Sequence, residues 1–322
     1  MFDTVLLSQA QTRLTERRSA RAVLTARRRT EIYAALPEAA DIDAQMRSGL
    51  VRAVRDAFLG GARGAAALEA CRERNLALHG RRAELLVENG YAPGALDEKP
   101  DCPVCEDTGF ADNRPCACLT QIYGGLQRGV LSRRLDLERQ SFDTFDLSLF
   151  SDETDPAERE SPRDRMDLLQ AYCRKYVNRF APDSADLLLR GGPGTGKTFL
   201  CACIAGALAA GPRWVVYETA ADAVGYMEAE KFLRDPLSAE RADRLLACEL
   251  LLLDDLGAEF ATPFSQSALF HLLSVRLAEK RRTIAVTALT EEELRRRYPP
   301  QLSSRLEAFD LLPLFGGDLR RR

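Results

Sequence analysis

No apolar run in this sequence approaches the 18 or more residues of a membrane span. Residues Met1 to Ala10 have no basic region ahead of their apolar residues, so no signal-peptide pattern opens the chain. These two absences lead us to expect a cytoplasmic protein. A strong charge imbalance is missing too. A net charge of −3 over 322 residues excludes a globally basic nucleic-acid binder, so any such contact must come from a local patch. The hydrophobic and charged fractions, 46% and 29%, are those of a soluble globular chain long enough for two domains. Nine cysteines leave one over from any full pairing. In a reducing compartment the five scattered ones, Cys71, Cys173, Cys201, Cys203 and Cys248, read as small core residues.

The densest chemical signal lies past the middle of the chain. Gly191, Gly192, Pro193, Gly194, Thr195, Gly196, Lys197 and Thr198 spell G-x-x-x-x-G-K-T, a phosphate-binding loop. Leu187-Leu188-Leu189 before it has the length of a buried strand, and Phe199 to Ala205 after it continues as a helix. Glycines there let the backbone approach phosphate oxygens with several N–H groups turned inward, and a helix N-terminus adds partial positive charge. Lys197 would reach the β- and γ-phosphates of ATP, and the Thr198 hydroxyl would ligate Mg²⁺.

Before that loop the pattern is helical to about residue 90. Leu50, Val51, Val54 and Phe58 fall on one helix face, Gly60-Gly61 ends that helix, and Asn89-Gly90 ends the next. The first segment carries Arg13, Arg17, Arg18, Arg21, Arg27, Arg28 and Arg29, which suits either a patch for an anionic partner or, more commonly, a solvated face. Cys102 and Cys105, then Cys116 and Cys118, flank a turn-rich loop. Four thiolates so spaced can meet around one Zn²⁺, which would also supply folding energy to a segment too small for a core. The second gap is one residue rather than two, and a pair of disulfides is the competing reading; short loops strain such bridges and a reducing compartment breaks them. His79 is a distant candidate ligand. Ile122 to Leu137 is helix-like. Phe142 and Phe145 in Ser-Phe-Asp-Thr-Phe resemble an anchor on a neighbouring domain, and 151–164 is acidic and proline-containing, a solvated linker.

From about 165 helix and strand alternate as in parallel α/β sheets. Trp214 to Tyr217, Leu250 to Leu253, Thr283 to Thr287 and Leu311 to Phe315 supply the further strands, and Phe264 to Glu279 an amphipathic helix. The four leucines run straight into Asp254 and Asp255. A strand buried on both faces presents its carboxylate rigidly at its C-terminal end, so Asp254 would hold the Mg²⁺ hydration shell opposite Thr198. Asp255 is the candidate to polarise the attacking water, with Glu259 as runner-up base.

Together CPVC-EDTGF…CAC, SFDTF, GGPGTGKT, LLLLDDLGAE, TIAVTALT, RYPPQLSSRLEAF and FGGDLR resemble AAA+ ATPases of the DnaC/DnaI type, the bacterial replicative helicase loaders, with IstB-type transposition helpers as cousins. The resemblance spans roughly residues 75 to 320, and the cysteine module favours the loaders. It implies that Arg305 is an arginine finger reaching a neighbouring subunit's γ-phosphate, and that Arg320 is a sensor 2 arginine contacting nucleotide within its own subunit. One position departs: Ala288 stands where sensor 1 is usually asparagine, which bears on hydrolysis. The resemblance also implies an inserted helix touching single-stranded DNA, where Lys231, Phe232 and Arg234 place two cations around one aromatic. An ordinary amphipathic helix with Phe232 in the core fits those residues equally.

The expected architecture is a helical N-terminal domain over 1–136 with a zinc module at about 99–120, a linker over 137–164, and a P-loop AAA+ domain over 165–322 with a parallel five-stranded sheet and no C-terminal lid. The expected function is ATP binding and hydrolysis coupled to loading the hexameric replicative helicase onto single-stranded DNA, with self-assembly on ATP. A transposition helper acting on duplex DNA and a nucleotide-gated adaptor with little hydrolysis are the alternatives.

Overall fold

Three long helices form first: α1 (Thr4–Ala35), α2 (Pro37–Gly60) and α3 (Ala62–Glu88). Asp3 starts α1 by accepting the N–H groups of Val5 and Leu6 at 3.0 and 3.1 Å. Pro37 opens α2 with its φ already helical. Gly90, at φ +81°, follows the end of α3 as the sequence predicts. The computed structural model describes residues 2–60 and 62–321, so the expected stop at Gly61 lies outside the described residues. A short hairpin of β1 (Phe110–Ala111) and β2 (Arg114–Pro115) follows, then α4 (Ala117–Leu131) and α5 (Pro162–Asn178). The remaining elements are β3 (Leu187–Gly191), α6 (Lys197–Ala209), β4 (Val215–Thr219), α7 (Ala220–Glu228), a π-helical turn (Ala229–Leu233), α8 (Pro236–Ala247), β5 (Leu250–Asp254), α9 (Pro263–Ala278), β6 (Arg282–Thr287), α10 (Glu291–Arg297), α11 (Pro300–Glu307) and β7 (Asp310–Leu314). No described helix is long and apolar enough to cross a membrane.

The described chain divides into two compact units, Thr12–Arg114 and Met1–Gln11 with Pro115–Arg322. In the first, Ile32, Ala39, Ile42, Met46, Leu85, Leu86 and Leu96 form the core. Arg82 is buried there, paired with Asp43 at 2.7 Å and with Asp97, and His79 lies 3.2 Å from its guanidinium. α2 is helical as expected, but its apolar stripe faces outward: Phe58 is 88% exposed, and Leu50, Val51 and Val54 are exposed too. Met46, Ile42 and Ala53 take the inward positions instead. Of the arginine run, Arg21 pairs with Asp101 and Asp107, and Arg29 donates to Leu96 O at 2.8 Å, while Arg13, Arg17, Arg18 and Arg28 are exposed.

In the second unit five strands lie parallel in the order β4-β5-β6-β3-β7. Leu250 to Leu253 are fully buried because both faces of the sheet are covered; each such leucine contributes about 1.5–3 kcal/mol. One face packs against α5 and α6 through Met166, Leu169, Leu200 and Ile204, and the other against α7, α8, α9 and α11 through Val224, Leu245, Leu269 and Leu302.

The edges of the sheet are closed in different ways. At β4, Gln127 of α4 accepts the Val215 N–H at 3.0 Å and donates to Arg213 O at 2.7 Å. A Cβ on Gly124 would stand 2.5 Å from Ala210 O, so only glycine lets α4 sit this close. The helix assigned from sequence to an N-terminal domain thus packs with the sheet. At β7, Pro313 has no N–H to offer a further strand. The acidic stretch 151–164 stays mostly exposed; Ser161 caps α5, and Arg163 and Arg165 pair with Asp152 and Glu160.

Candidate active site and metal centre

β3 runs into the loop Gly191–Thr198, which turns through Gly194 (φ +75°) and Gly196 (φ +94°) before α6 begins. Both conformations are left-handed and suit glycine. Gly194 also leaves the room that the Asp318 carboxylate occupies. Lys197 Nζ donates to Gly191 O and Gly192 O, each at 2.7 Å. Burial lowers its pKa, which the nearby Asp254 and Asp255 oppose. The ammonium is therefore folded onto the loop's own carbonyls, in reach of any anion the loop admits. Phe145 of the Ser-Phe-Asp-Thr-Phe motif meets Phe199, in the first turn of α6, edge-on at 4.9 Å, and Phe150 lies under Gly196.

At the C-terminal end of β5, Asp254 is 2% exposed and accepts the Thr198 hydroxyl at 3.0 Å. P-loop and Walker-type carboxylate thus meet as the sequence predicts. The same Oδ2 accepts the Tyr217 phenol at 2.6 Å, and Oδ1 accepts the Asp255 N–H at 2.8 Å. Thr198 Oγ1 and Asp254 form the hard oxygen set that suits Mg²⁺. Asp255 is exposed, with φ +52°. Partial desolvation and the adjacent Asp254 push its pKa up, against the pull of Lys197 and Arg320. A carboxyl so raised is a better proton acceptor than an ordinary aspartate.

Glu259 is placed differently. It is buried, its carboxylate accepts the Gly257 N–H at 2.9 Å and the Tyr298 hydroxyl at 2.6 Å, and Arg297 lies 3.4 Å away. With those partners it braces the loop after β5 rather than facing a water. Arg320 is held on Asp318 at 3.0 Å, and the Leu319 N–H donates to Gly194 O at 3.1 Å, so the FGGDLR segment closes onto the P-loop. The field of Arg320 is felt at both Lys197 and Asp255. Arg305 differs from the outward-pointing side chain expected of it. Leu302 and Leu306 anchor α11 as anticipated, but the guanidinium is half-buried, 6.0 Å from the Phe270 ring centre. Ala288 is exposed just past the end of β6, and Thr287 beside it spends its hydroxyl on Leu256 O at 2.6 Å. The alanine at 288 therefore offers no side-chain group to hydrogen-bond a water.

Lys231 and Phe232 lie on the π-helical turn, which Arg234 closes at φ +52°. Phe232 is 63% exposed, which removes the core alternative for it. Its ring meets Phe264 at 5.3 Å, with the Lys231 ammonium 6.0 and 5.6 Å from the two ring centres. Phe260, four residues before Phe264, is 90% exposed. The sequence motifs did not point to Tyr217, Asp318, Phe260 or Phe264; an aromatic two residues before a strand's end carries no signature of what it will touch.

The sulfur atoms of Cys102, Cys105, Cys116 and Cys118 all lie within 4.8 Å of one another. A zinc tetrahedron with bonds of about 2.3 Å has edges of about 3.8 Å, so the donor set fits. Disulfides need sulfurs to approach two by two; here all four are mutual neighbours. Glu106 and Asp107 turn the chain with positive φ, and Cys105 Sγ accepts the Gly109 N–H at 3.4 Å. Asp107 accepts the N–H groups of Asp101 and Cys102 at 3.0 and 2.8 Å. Burial would raise its pKa, but these bonds and Arg21 hold it below the usual range. His79 is not among the four ligands.

Strand order, P-loop and carboxylate define a P-loop ATP-binding domain of the AAA+ class. Residues 175–298 match the family described as IstB-like ATP binding protein, a stretch that includes the P-loop, Asp254 and Ala288 but neither the four clustered cysteines nor Arg305 and Arg320. The match covers less than half of the chain, so it marks this stretch as similar to that family. The replicative helicase loader DnaC of Escherichia coli K12 is 28% identical over 123 residues, 38% of this chain and 50% of that protein. The chain thus spans about half the length of the curated relatives it matches. Among solved structures, the DnaC helicase loader is similar at TM-score 0.45 and 18% identity, covering 56% of this chain and 98% of that one. AMPPCP-bound DnaA from Aquifex aeolicus is similar at TM-score 0.44 and 19% identity, covering 55% and 50%.

Proposed function

We propose that the protein binds and hydrolyses ATP in the cytoplasm and loads a hexameric replicative helicase onto single-stranded DNA. The observation that carries this is the meeting of Thr198 and Asp254 at 3.0 Å, beside Lys197, within the stretch that matches the IstB-like ATP binding family, in a chain similar to DnaC. Bound Mg²⁺ would neutralise charge on the phosphates. Lys197 and the loop N–H groups hold the phosphates, Thr198 and Asp254 hold the ion, and Asp255 accepts the proton of the attacking water. Arg305 acts on nucleotide held by a neighbouring subunit, and Arg320 on its own. Lys231, Phe232 and Arg234 grip single-stranded DNA by backbone charge and stacking, with the adjacent ring of Phe264 supporting this. The four cysteines hold one Zn²⁺, and the helical unit docks on the helicase.

The observation at Ala288 favours a second reading, a nucleotide-gated adaptor that binds ATP and scarcely turns it over. Capture from the native cell tests the partner: recovery of a hexameric helicase with tagged protein is expected, and its absence counts against loading. ATP turnover with and without single-stranded DNA separates ATPase from adaptor.

A further inference from the structure

Asp254 is nearly sealed from solvent, so the groups around its carboxylate, rather than water, fix its orientation. Three donors do so from three places in the fold. The Asp255 N–H comes from the following loop at 2.8 Å, the Thr198 hydroxyl from α6 at 3.0 Å, and the Tyr217 phenol from the neighbouring strand β4 at 2.6 Å. The last is the shortest, at the length of a charge-assisted O–H···O⁻ bond. β4 pairs with β5 in register, Thr219 beside Asp254, which fixes where the phenol lies.

We propose that Tyr217 is a positioning residue for the Mg²⁺ carboxylate; this rests on the reading that ATP with Mg²⁺ binds at the P-loop. Thr198 must serve two partners, giving a lone pair to the ion and its proton to Asp254. Among the described residues, Tyr217 is the side-chain donor to Asp254 with no second duty of that kind. It holds Oδ2 while nucleotide and ion exchange, leaving the carboxylate aimed at the ion's water shell. Partners that orient a metal-binding carboxylate typically account for 10–100-fold in metal affinity.

The experiment is a calorimetric titration of the full chain with ATP, in EDTA and across a range of Mg²⁺ concentrations, for the parent protein and Tyr217→Phe. In EDTA the two should bind ATP within about twofold of each other. The Mg²⁺ concentration that gives half the metal-dependent gain in affinity should rise about tenfold in the variant. An unchanged Mg²⁺ requirement overturns the proposal. So does an equal loss with and without Mg²⁺, which would mark the ring as packing for the pocket. Should Tyr217→Phe fail to fold, Tyr217→Leu, which also lacks the hydroxyl, must give the same metal-selective loss. In an Asp254→Asn background Tyr217→Phe should have no further effect on the Mg²⁺ requirement, and full additivity would overturn the link between the two residues. A parent protein that binds no ATP under any condition sinks the nucleotide reading itself, an outcome distinct from parent binding with an indifferent Tyr217.

Discussion

The two candidate sites hold their ligating atoms in place by opposite means. At the end of β5, four fully buried leucines and a five-stranded sheet fix Asp254 before any ligand arrives. At the cysteine cluster almost nothing apolar contributes. The geometry rests on left-handed turns at Glu106 and Asp107, on Asp107 gathering two N–H groups and Arg21, and on four mutually close sulfurs. The first site is an outcome of folding that a ligand then uses. The second, if it holds the proposed ion, would draw its shape from that ion. Removing the ligand should therefore leave one intact and dismantle the other.

The largest expected effect is at Arg305. Arg305→Ala should bind ATP normally and lose roughly 10³-fold or more in turnover, as for fingers in other P-loop systems. Mixing it with Lys197→Ala should restore part of the activity, since one supplies an intact pocket and the other an intact finger. Mixed assemblies that stay inactive would mean Arg305 does not act across subunits. Lys197→Ala alone should lose about 10²–10³-fold in turnover with an unchanged melting temperature, because its ammonium touches only loop carbonyls that water can serve instead. Normal ATPase activity in that variant would remove the phosphate-binding role.

A chelator strong enough to strip the zinc should expose residues of about 100–116 to protease and, once the chelator is removed and Mg²⁺ restored, leave ATP affinity within about twofold of the untreated protein. Elemental analysis beforehand should find one zinc per chain, and a metal-free protein isolated without chelators contradicts the cluster's role. Thiol titration sharpens the contrast. Burial pushes Cys173 and Cys203 up to about 12, so they should stay unreactive at pH 8 until the sheet unfolds, whereas Cys102, Cys105, Cys116 and Cys118 should react once chelator is added. The smallest effect is at Ala288. Ala288→Asn supplies an amide beside the P-loop at an exposed position and should raise turnover several-fold, and unchanged turnover would tell against a missing sensor as the limit.

Much of the nucleotide site was legible because its motif couples spacing to local structure. G-x-x-x-x-G-K-T needs a strand before and a helix after, and both are readable from apolar runs. Asp254 followed from four leucines ending in a carboxylate. What escaped were contacts made by residues far apart in sequence. Tyr217 reaches Asp254 across two strands, and no pattern in Val-Val-Tyr-Glu-Thr announces it. Glu259 was read as a possible base because it lies close in sequence, but Tyr298, 39 residues on, decides what its carboxylate does. Periodicity found α2 and misjudged its faces: an apolar stripe marks where a helix prefers to be covered, and Phe58 is not covered within the described chain. Likewise α4 reads as part of an N-terminal region until Gly124 and Gln127 are seen against α6 and β4.

The amide of Gln127 stands where another strand's backbone would otherwise pair with β4. Strand addition, by which exposed sheets recruit further copies and drift into aggregates, is hindered at that end of β4 by this side chain, and further along by Arg134, which pairs with Glu218 at 3.2 Å. Copies of this protein that gather side by side must then meet through helices and loops, a kind of joint that can open and re-form with each nucleotide. Replacing Gln127 with leucine would leave the Val215 N–H unanswered and open that edge to a further strand.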